Sequence, residues 1–120
     1  FIKKYSDNNE NVNFTIIRAP GVTQKALLSY LKGLKVSIEK RPILEVLQGC
    51  HFAIVASGTA TLESAITARP IVVIYKMSWI SWFITRRFVI IPFACIVNIL
   101  ANKKIIPELL QDDFTVNNII

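Results

Sequence analysis

The chain has few of the residues that build metal centres or disulfides. Its 120 residues include one histidine, His51, and two cysteines, Cys50 and Cys95, which lie far apart in the sequence. A structural zinc site needs four closely spaced ligands, so the sequence excludes one. We expect buried free thiols of a reducing compartment rather than a disulfide, and a structural rather than a catalytic histidine.

The sequence also has no long apolar run, and nothing in it marks secretion. The uncharged stretch 88–101 contains Pro92 and Asn98 and is shorter than the roughly 20 residues of a membrane helix. No basic start, apolar middle and small-residue cleavage site occur together near Phe1. With 52% hydrophobic residues the chain can build one core, and because it begins at Phe1 we interpret it as an excerpt of a longer protein.

Acidic residues are absent from the middle of the chain. None lies between Glu63 and Glu108, whereas that interval holds six basic residues: Arg69, Lys76, Arg86, Arg87, Lys103 and Lys104. Such a stretch favours an anionic partner. The candidates are the phosphate groups of a substrate, an anionic membrane surface, or nucleic acid.

Hydrophobic patterning alternates between strands and helices. Strands are predicted at 14–17, 36–38, 52–56 and 71–75, and helices at 24–34, 43–49, 60–68, 77–88 and 107–111. Alternation at this spacing predicts an α/β protein with a parallel sheet flanked by helices. The β-branched run 71–75 is expected to be a central strand.

A small-residue turn follows the strand at 52–56. Ser57, Gly58 and Thr59 lead from this strand into a helix, so backbone N–H groups point off the strand end and can hold a diphosphate. Glu63 lies about one helical turn further on, where its carboxylate can accept hydrogen bonds from ribose hydroxyls. A capping box would need serine or threonine at Ala60, which leaves Glu63 available to a ligand. The alternative is an ordinary turn, because glycine relaxes the backbone and hydroxyls cap helices.

Aromatic and basic residues are combined in the segment 77–88. Trp79 and Trp82 precede Arg86 and Arg87, a pairing typical of proteins that meet bilayer headgroups. The alternative is that these aromatic side chains pack on the sheet.

Four segments in order resemble the C-terminal half of the lipid-A-disaccharide synthase family. They are 56–63 (ASGTATLE), 70–76 (PIVVIYK), 98–103 (NILANK) and 107–111 (PELLQ). The resemblance implies a GT-B glycosyltransferase with two Rossmann-like halves, of which residues 1–120 are a partial UDP-sugar-binding domain without the N-terminal acceptor domain. It implies transfer of 2,3-diacylglucosamine from UDP-2,3-diacylglucosamine to 2,3-diacylglucosamine 1-phosphate, with no metal or cofactor. This stretch alone is expected to be inactive.

The resemblance also implies site residues and a location. Ser57, Gly58 and Thr59 would bind the diphosphate, Glu63 the ribose, and Asn98 would be a catalytic polar residue near the sugar phosphate. Contact with membrane or phosphate is expected from Trp79, Trp82, Arg86, Arg87 and Lys103. The protein is expected in the cytoplasm, peripheral on the inner face of the Gram-negative inner membrane, and can be a homodimer.

Two dipeptides depart from the family pattern. Val97-Asn98 replaces Pro-Asn, and Asn102-Lys103 replaces Gly-Arg. Lysine keeps the positive charge but loses the bidentate geometry that suits phosphate, so phosphate binding there is expected to be looser.

Alternative functions remain open from the sequence. One is another UDP-N-acetylglucosamine enzyme of GT-B fold, and a second is a non-catalytic remnant that binds a membrane surface. Nucleic-acid binding is disfavoured, because the basic residues lie between apolar strands and no known recognition motif occurs.

Overall fold

The computed structural model describes residues 1–88 and 92–119, with the backbone alone at positions 82, 85, 86 and 88. The helices in this part of the chain are α1 (Ile2–Asn8), α2 (Gln24–Tyr30), α3 (Ile43–Gln48), α4 (Thr59–Ile66), α5 (Trp79–Phe88), α6 (Ile96–Ala101) and α7 (Val116–Ile119). The strands are β1 (Phe14–Ile17), β2 (Val36–Glu39), β3 (Ala53–Ala56), β4 (Ile71–Tyr75) and β5 (Glu108–Leu110), and a 3-10 turn spans Gln111–Asp113.

The strands form two parallel sheets within the described residues. In one, β1 pairs with β2, and Phe14 lies opposite Val36. In the other, β4 lies between β3 and β5, with Ala53 opposite Ile71 and Val73 opposite Glu108. Helices connect the strands, so the predicted Rossmann-like α/β class is confirmed.

Strand β4 is the most buried strand, as its sequence predicts. Ile71, Val72 and Val73 are buried, and Val73 has no exposed surface. An apolar cluster joins this strand to its neighbours through Val55, Ile71, Val73, Cys95 and Ile106. A β-branched run suits a strand that is flanked on both edges and covered by helices.

Both cysteines are free thiols, in agreement with the sequence. Cys95 is fully buried in the apolar cluster, whereas Cys50 is half-buried and donates a hydrogen bond from Sγ to the Val46 carbonyl. Free cysteine packs as a small hydrophobic residue.

The prediction of a helix at 107–111 is wrong, because this segment pairs with the second edge of β4. The Val73 N–H donates to the Pro107 carbonyl at 2.9 Å, and Leu109 and Leu110 then lie opposite Ile74 and Tyr75. Proline is tolerated at the entry to a strand. The ladder hydrogen bonds of β4 outweigh the helix propensity of Leu109 and Leu110.

Helix α2 ends at Tyr30, four residues before the predicted end. Gly33 has a φ of +77°, a left-handed conformation that turns the chain towards β2. The start of α2 at Gln24 matches the sequence, and the Thr23 hydroxyl caps it by accepting a hydrogen bond from the Ala26 N–H.

Candidate nucleotide-binding site

The carboxyl ends of β3, β4 and β5 meet at one edge of their sheet because the three strands are parallel. Ser57 follows β3 at this edge, Lys76 follows β4, and Gln111 follows β5. Ligands of open α/β sheets bind in the crevice outside the carboxyl ends of the strands. The predicted diphosphate turn, which begins at Ser57, therefore lies at the edge where a ligand is expected.

The turn between β3 and α4 is fixed at Ser57 and opens at Gly58. The Ser57 N–H donates to the Ile74 carbonyl at 2.9 Å, and the Ser57 hydroxyl donates to the Ala94 carbonyl at 2.7 Å. Gly58 has φ +152° and ψ −164°, a conformation that essentially only glycine adopts. The predicted strand, turn and helix are present, and α4 begins at Thr59, one residue earlier than expected.

The N-terminus of α4 has unused hydrogen-bond donors. Within the described residues, the N–H groups of Gly58, Thr59 and Ala60 make no hydrogen bond, and no side chain caps the helix. Gly58 and Thr59 are exposed. Free N–H groups and the positive end of the helix dipole both favour an anion at this position.

The buried face of α4 consists of small polar residues. Thr61 and Ser64 are fully buried, and their hydroxyls donate to the carbonyls of Gly58 at 2.6 Å and Ala60 at 2.7 Å. Each hydroxyl is thus satisfied within its own helix, which lets α4 pack closely against α3 and α6. This packing holds the helix N-terminus at the sheet edge.

Glu63 lies on the exposed surface of α4. It is four residues after Thr59, so both lie on the same face about 6 Å apart along the helix. Within the described ranges the Glu63 carboxylate forms no hydrogen bond or ion pair. The carboxylate is available to a ligand, and its role with ribose stays a prediction.

A buried carboxylate lies beside the turn, on β5. Glu108 is 8% exposed and accepts three hydrogen bonds: from the N–H of Ala94 at 2.9 Å, the N–H of Cys95 at 3.0 Å, and Nδ2 of Asn98 at 2.6 Å. Ala94 and Cys95 immediately precede α6. Glu108 therefore binds donors at the start of α6, as a capping side chain does.

Asn98 is fully buried inside α6, and its amide is saturated. Nδ2 donates to the Ile106 carbonyl and to Glu108, and Oδ1 accepts from the N–H groups of Ile105 and Ile106, all at 2.6 to 2.9 Å. An asparagine amide has two donors and two lone pairs, so none remains for a substrate in this arrangement. The geometry gives no support to a catalytic contact, which stays a prediction.

Gln111 fixes the chain where it leaves β4. It is 8% exposed, its Oε1 accepts from the Met77 N–H at 2.7 Å, and its Nε2 donates to the Met77 carbonyl at 3.1 Å. Sequence reasoning assigned no role to Gln111 or Glu108, because it placed both in a helix. The available signal was their position in the segment PELLQ, which carries part of the family resemblance.

Lys103 lies at the opposite end of α6 from Ala94, the residue that accepts the Ser57 hydroxyl. Ala94 precedes α6 and Lys103 follows it, so the six-residue helix spans about 9 Å between them. Lys103 is exposed, and Asn102 before it ends α6 in the left-handed conformation at φ +49°. Asparagine adopts this conformation more readily than other side chains except glycine, so it can end a helix in this way. Phosphate contact by Lys103 stays a prediction.

Helix α5 presents apolar side chains to solvent. Trp79, Ile80 and Phe83 are 74%, 76% and 71% exposed, and Arg87 is also exposed. The alternative that these aromatic residues pack on the sheet is wrong for Trp79 and Phe83. The side chains of Trp82 and Arg86 lie outside the described residues.

A surface pocket of about 810 Å³ lies elsewhere, between α1 and the segment that joins α2 to β2. Its lining carries charges of both signs, among them Lys3, Asp7 and Lys35, and includes none of the predicted site residues. This pocket does not contribute to the carboxyl edge of the β3–β4–β5 sheet.

Replacing Gly58 with alanine tests the turn geometry. We expect a loss of about 1–3 kcal/mol in stability, because a Cβ at φ +152° is strained even though no atom lies within 4 Å of its position. Gly21→Ala is the matched control, since its Cβ position is equally open and its φ is not positive. Thermal unfolding of both variants measures the difference, and equal melting temperatures would show that the turn is not constrained.

The fold and the turn define a Rossmann-like α/β protein. The model of the family described as "Lipid-A-disaccharide synthetase" matches residues 2–120. Among curated relatives named lipid-A-disaccharide synthase, that of Anaeromyxobacter sp. strain K is 41% identical over 86% of this chain and 28% of its own length. The Myxococcus xanthus relative is 33% identical over 94% of this chain and 30% of its own length. The Acidobacterium capsulatum relative is 48% identical over 62% of this chain and 18% of its own length.

The chain therefore belongs to the lipid-A-disaccharide synthetase family, as its four motif segments indicate. It spans less than a third of the length of these curated relatives. Across residues 1–88 and 92–119, no helix is long and apolar enough to cross a membrane.

Proposed function

We propose that the protein containing this chain is a glycosyltransferase of lipid A biosynthesis. It transfers 2,3-diacylglucosamine from UDP-2,3-diacylglucosamine to 2,3-diacylglucosamine 1-phosphate and releases UDP. The observation that carries the proposal is the N-terminus of α4, where the N–H groups of Gly58, Thr59 and Ala60 lie one helical turn from Glu63 and, among the described residues, neither they nor its carboxylate has a hydrogen-bond partner. Family membership supports the identity of the sugar donor.

The chemistry assigned to this site is binding and leaving-group stabilisation. When the bond between the sugar and the diphosphate breaks, negative charge develops on UDP. Fixed N–H donors at a helix N-terminus stabilise this charge without reorganisation. Glu63 accepts hydrogen bonds from ribose hydroxyls and so orients the nucleotide. The acceptor site and the catalytic base belong to other parts of the protein.

The test is product formation by the full-length protein. With acylated donor and acceptor we expect UDP release together with the tetraacyl disaccharide 1-phosphate, and no release when the acceptor is omitted. Activity with unacylated UDP-N-acetylglucosamine in place of the acylated donor would favour the alternative enzyme class. Failure to release UDP under any of these conditions would contradict the proposal.

We also propose that α5 contacts an anionic lipid surface, the inner face of the Gram-negative inner membrane. Trp79 and Phe83 are four residues apart, as are Ile80 and Ile84, so these exposed side chains form adjacent rows on one side of the helix. Exposed Lys76 precedes the helix and exposed Arg87 lies in its last turn. Apolar side chains flanked by cations suit the headgroup region of an anionic bilayer.

The variant Trp79→Ala/Phe83→Ala tests this contact. We expect its binding to vesicles containing phosphatidylglycerol to fall about tenfold or more, because two aromatic side chains no longer enter the bilayer. Tyr30→Ala is the control, since Tyr30 is 83% exposed on a different helix. Co-sedimentation of the full-length proteins measures the effect, and equal binding by both variants would contradict the proposed contact.

A further inference from the structure

The buried carboxylate of Glu108 is connected to the turn at Gly58 through one residue, Ala94. The Ala94 N–H donates to Glu108, and the Ala94 carbonyl accepts the hydroxyl of Ser57. The two hydrogen bonds are 2.9 and 2.7 Å long. Ala94 thus lies between the carboxylate on β5 and the residue that begins the turn after β3.

The environment of Glu108 holds it in one position. Asn98 donates to the same carboxylate and is itself fixed by the Ile105 and Ile106 backbone. Glu108 is 8% exposed and Asn98 has no exposed surface, so water does not compete for these hydrogen bonds. Several hydrogen bonds hold the Glu108 carboxylate in one position. The Ala94 backbone that it binds is therefore fixed as well.

We propose that Glu108 is a positioning residue for the turn at Gly58. Its carboxylate fixes the Ala94 backbone, Ala94 holds the Ser57 hydroxyl, and Ser57 sets where the free N–H groups of Gly58, Thr59 and Ala60 point. The inference deepens the proposed function, because these N–H groups are the ones assigned to the diphosphate. Glu108 itself touches no substrate in this account.

The substitution Glu108→Gln separates this role from simple burial. A carboxylate only accepts hydrogen bonds, and here three donors use both of its oxygens. A glutamine of the same size has one oxygen and one NH₂ group. If its oxygen stays with Cys95 and Asn98, its NH₂ group faces the Ala94 N–H, and two donors oppose each other.

The experiment is residue-resolved amide hydrogen exchange on the full-length protein, as parent and as Glu108→Gln. We expect faster exchange at Ala94 and, through the coupling, at Ser57 and Thr61, whose N–H groups donate to the carbonyls of Ile74 and Gly58. Asp112→Asn is the matched control, because Asp112 is exposed and lies close to β5. Faster exchange confined to Ala94 and Cys95 would overturn the proposal, since Glu108 would then stabilise only the start of α6.

A second variant, Ser57→Ala, tests the connection even if Glu108→Gln does not fold, because it leaves the hydrogen bonds of Glu108 in place. Ser57→Ala removes only the link to Ala94, and we expect it to speed exchange at Thr61, whose N–H donates to the Gly58 carbonyl, while Ala94 and Cys95 stay protected. Unchanged exchange at Thr61 in this variant would overturn the proposal even if Glu108→Gln does not fold.

UDP affinity gives a second readout that involves the proposed function. Glu108→Gln should weaken UDP binding about tenfold in the parent background and much less in the Ser57→Ala background, because both changes break the same connection. Equal weakening in the two backgrounds would contradict the coupling. If the parent itself does not bind UDP, the proposed function fails, and hydrogen exchange still decides the role of Glu108.

Discussion

Replacing Asn98 with alanine is expected to lower the stability of the protein by about 4 kcal/mol. The substitution removes four hydrogen bonds, three of them buried, and leaves the Ile106 N–H and carbonyl without this partner, while Glu108 keeps the N–H groups of Ala94 and Cys95. Each buried polar group left unsatisfied costs about 1–3 kcal/mol, and partial relaxation lowers the sum. Urea unfolding followed by circular dichroism measures the loss.

The matched control for this substitution is Asn11→Ala. Asn11 is exposed in the loop before β1 and should tolerate alanine with little change in stability. The comparison also decides how Asn98 acts. An Asn98→Ala protein that is as stable as the Asn11→Ala protein, yet inactive, would assign Asn98 a direct contact with substrate and would contradict the structural role described here.

Replacing Glu63 with alanine is expected to weaken UDP binding about tenfold to a hundredfold without changing stability. A hydrogen bond to a charged group contributes about 1.5–3 kcal/mol, and Glu63 forms no hydrogen bond or ion pair within the described residues that the substitution could break. Titration calorimetry with UDP measures the affinity, and thermal unfolding measures the stability.

Glu45→Ala is the control for Glu63→Ala. Glu45 is likewise an exposed helical glutamate, on α3, which packs against α4. Its removal changes the net charge by the same amount and should leave UDP affinity unchanged. Similar losses of affinity in both variants would indicate a general electrostatic effect and would remove Glu63 from the site.

Local sequence patterns predicted the elements that depend on local physics. The runs 14–17 and 71–75 become β1 and β4 with the predicted bounds. The turn at Gly58 was also predictable, because a strand followed by small residues and a helix leaves few alternatives for the backbone. In each case, the signal lies within a few consecutive residues.

The residues that organise the site were not predictable from local pattern. Glu108 and Gln111 are buried by pairing with Ala94, Asn98 and Met77, which lie 10 to 34 residues away in the chain. The segment 107–111 has the helix propensity of its leucines, and only the free edge of β4 makes it a strand. Asn98 was assigned to the site by family resemblance alone. Its hydrogen bonds depend on how α6 packs against the segment before β5, which a short stretch of sequence does not reveal.

The most direct test of the account compares UDP with 2′,3′-dideoxy-UDP, which lacks the two ribose hydroxyls. Both nucleotides are titrated into the full-length parent and the Glu63→Ala protein. We expect the parent to bind UDP about tenfold or more tightly than the dideoxy nucleotide, and Glu63→Ala to bind the two equally. Undiminished discrimination in Glu63→Ala, or no saturable UDP binding by the folded parent, would contradict the assignment of this turn and helix as the nucleotide site.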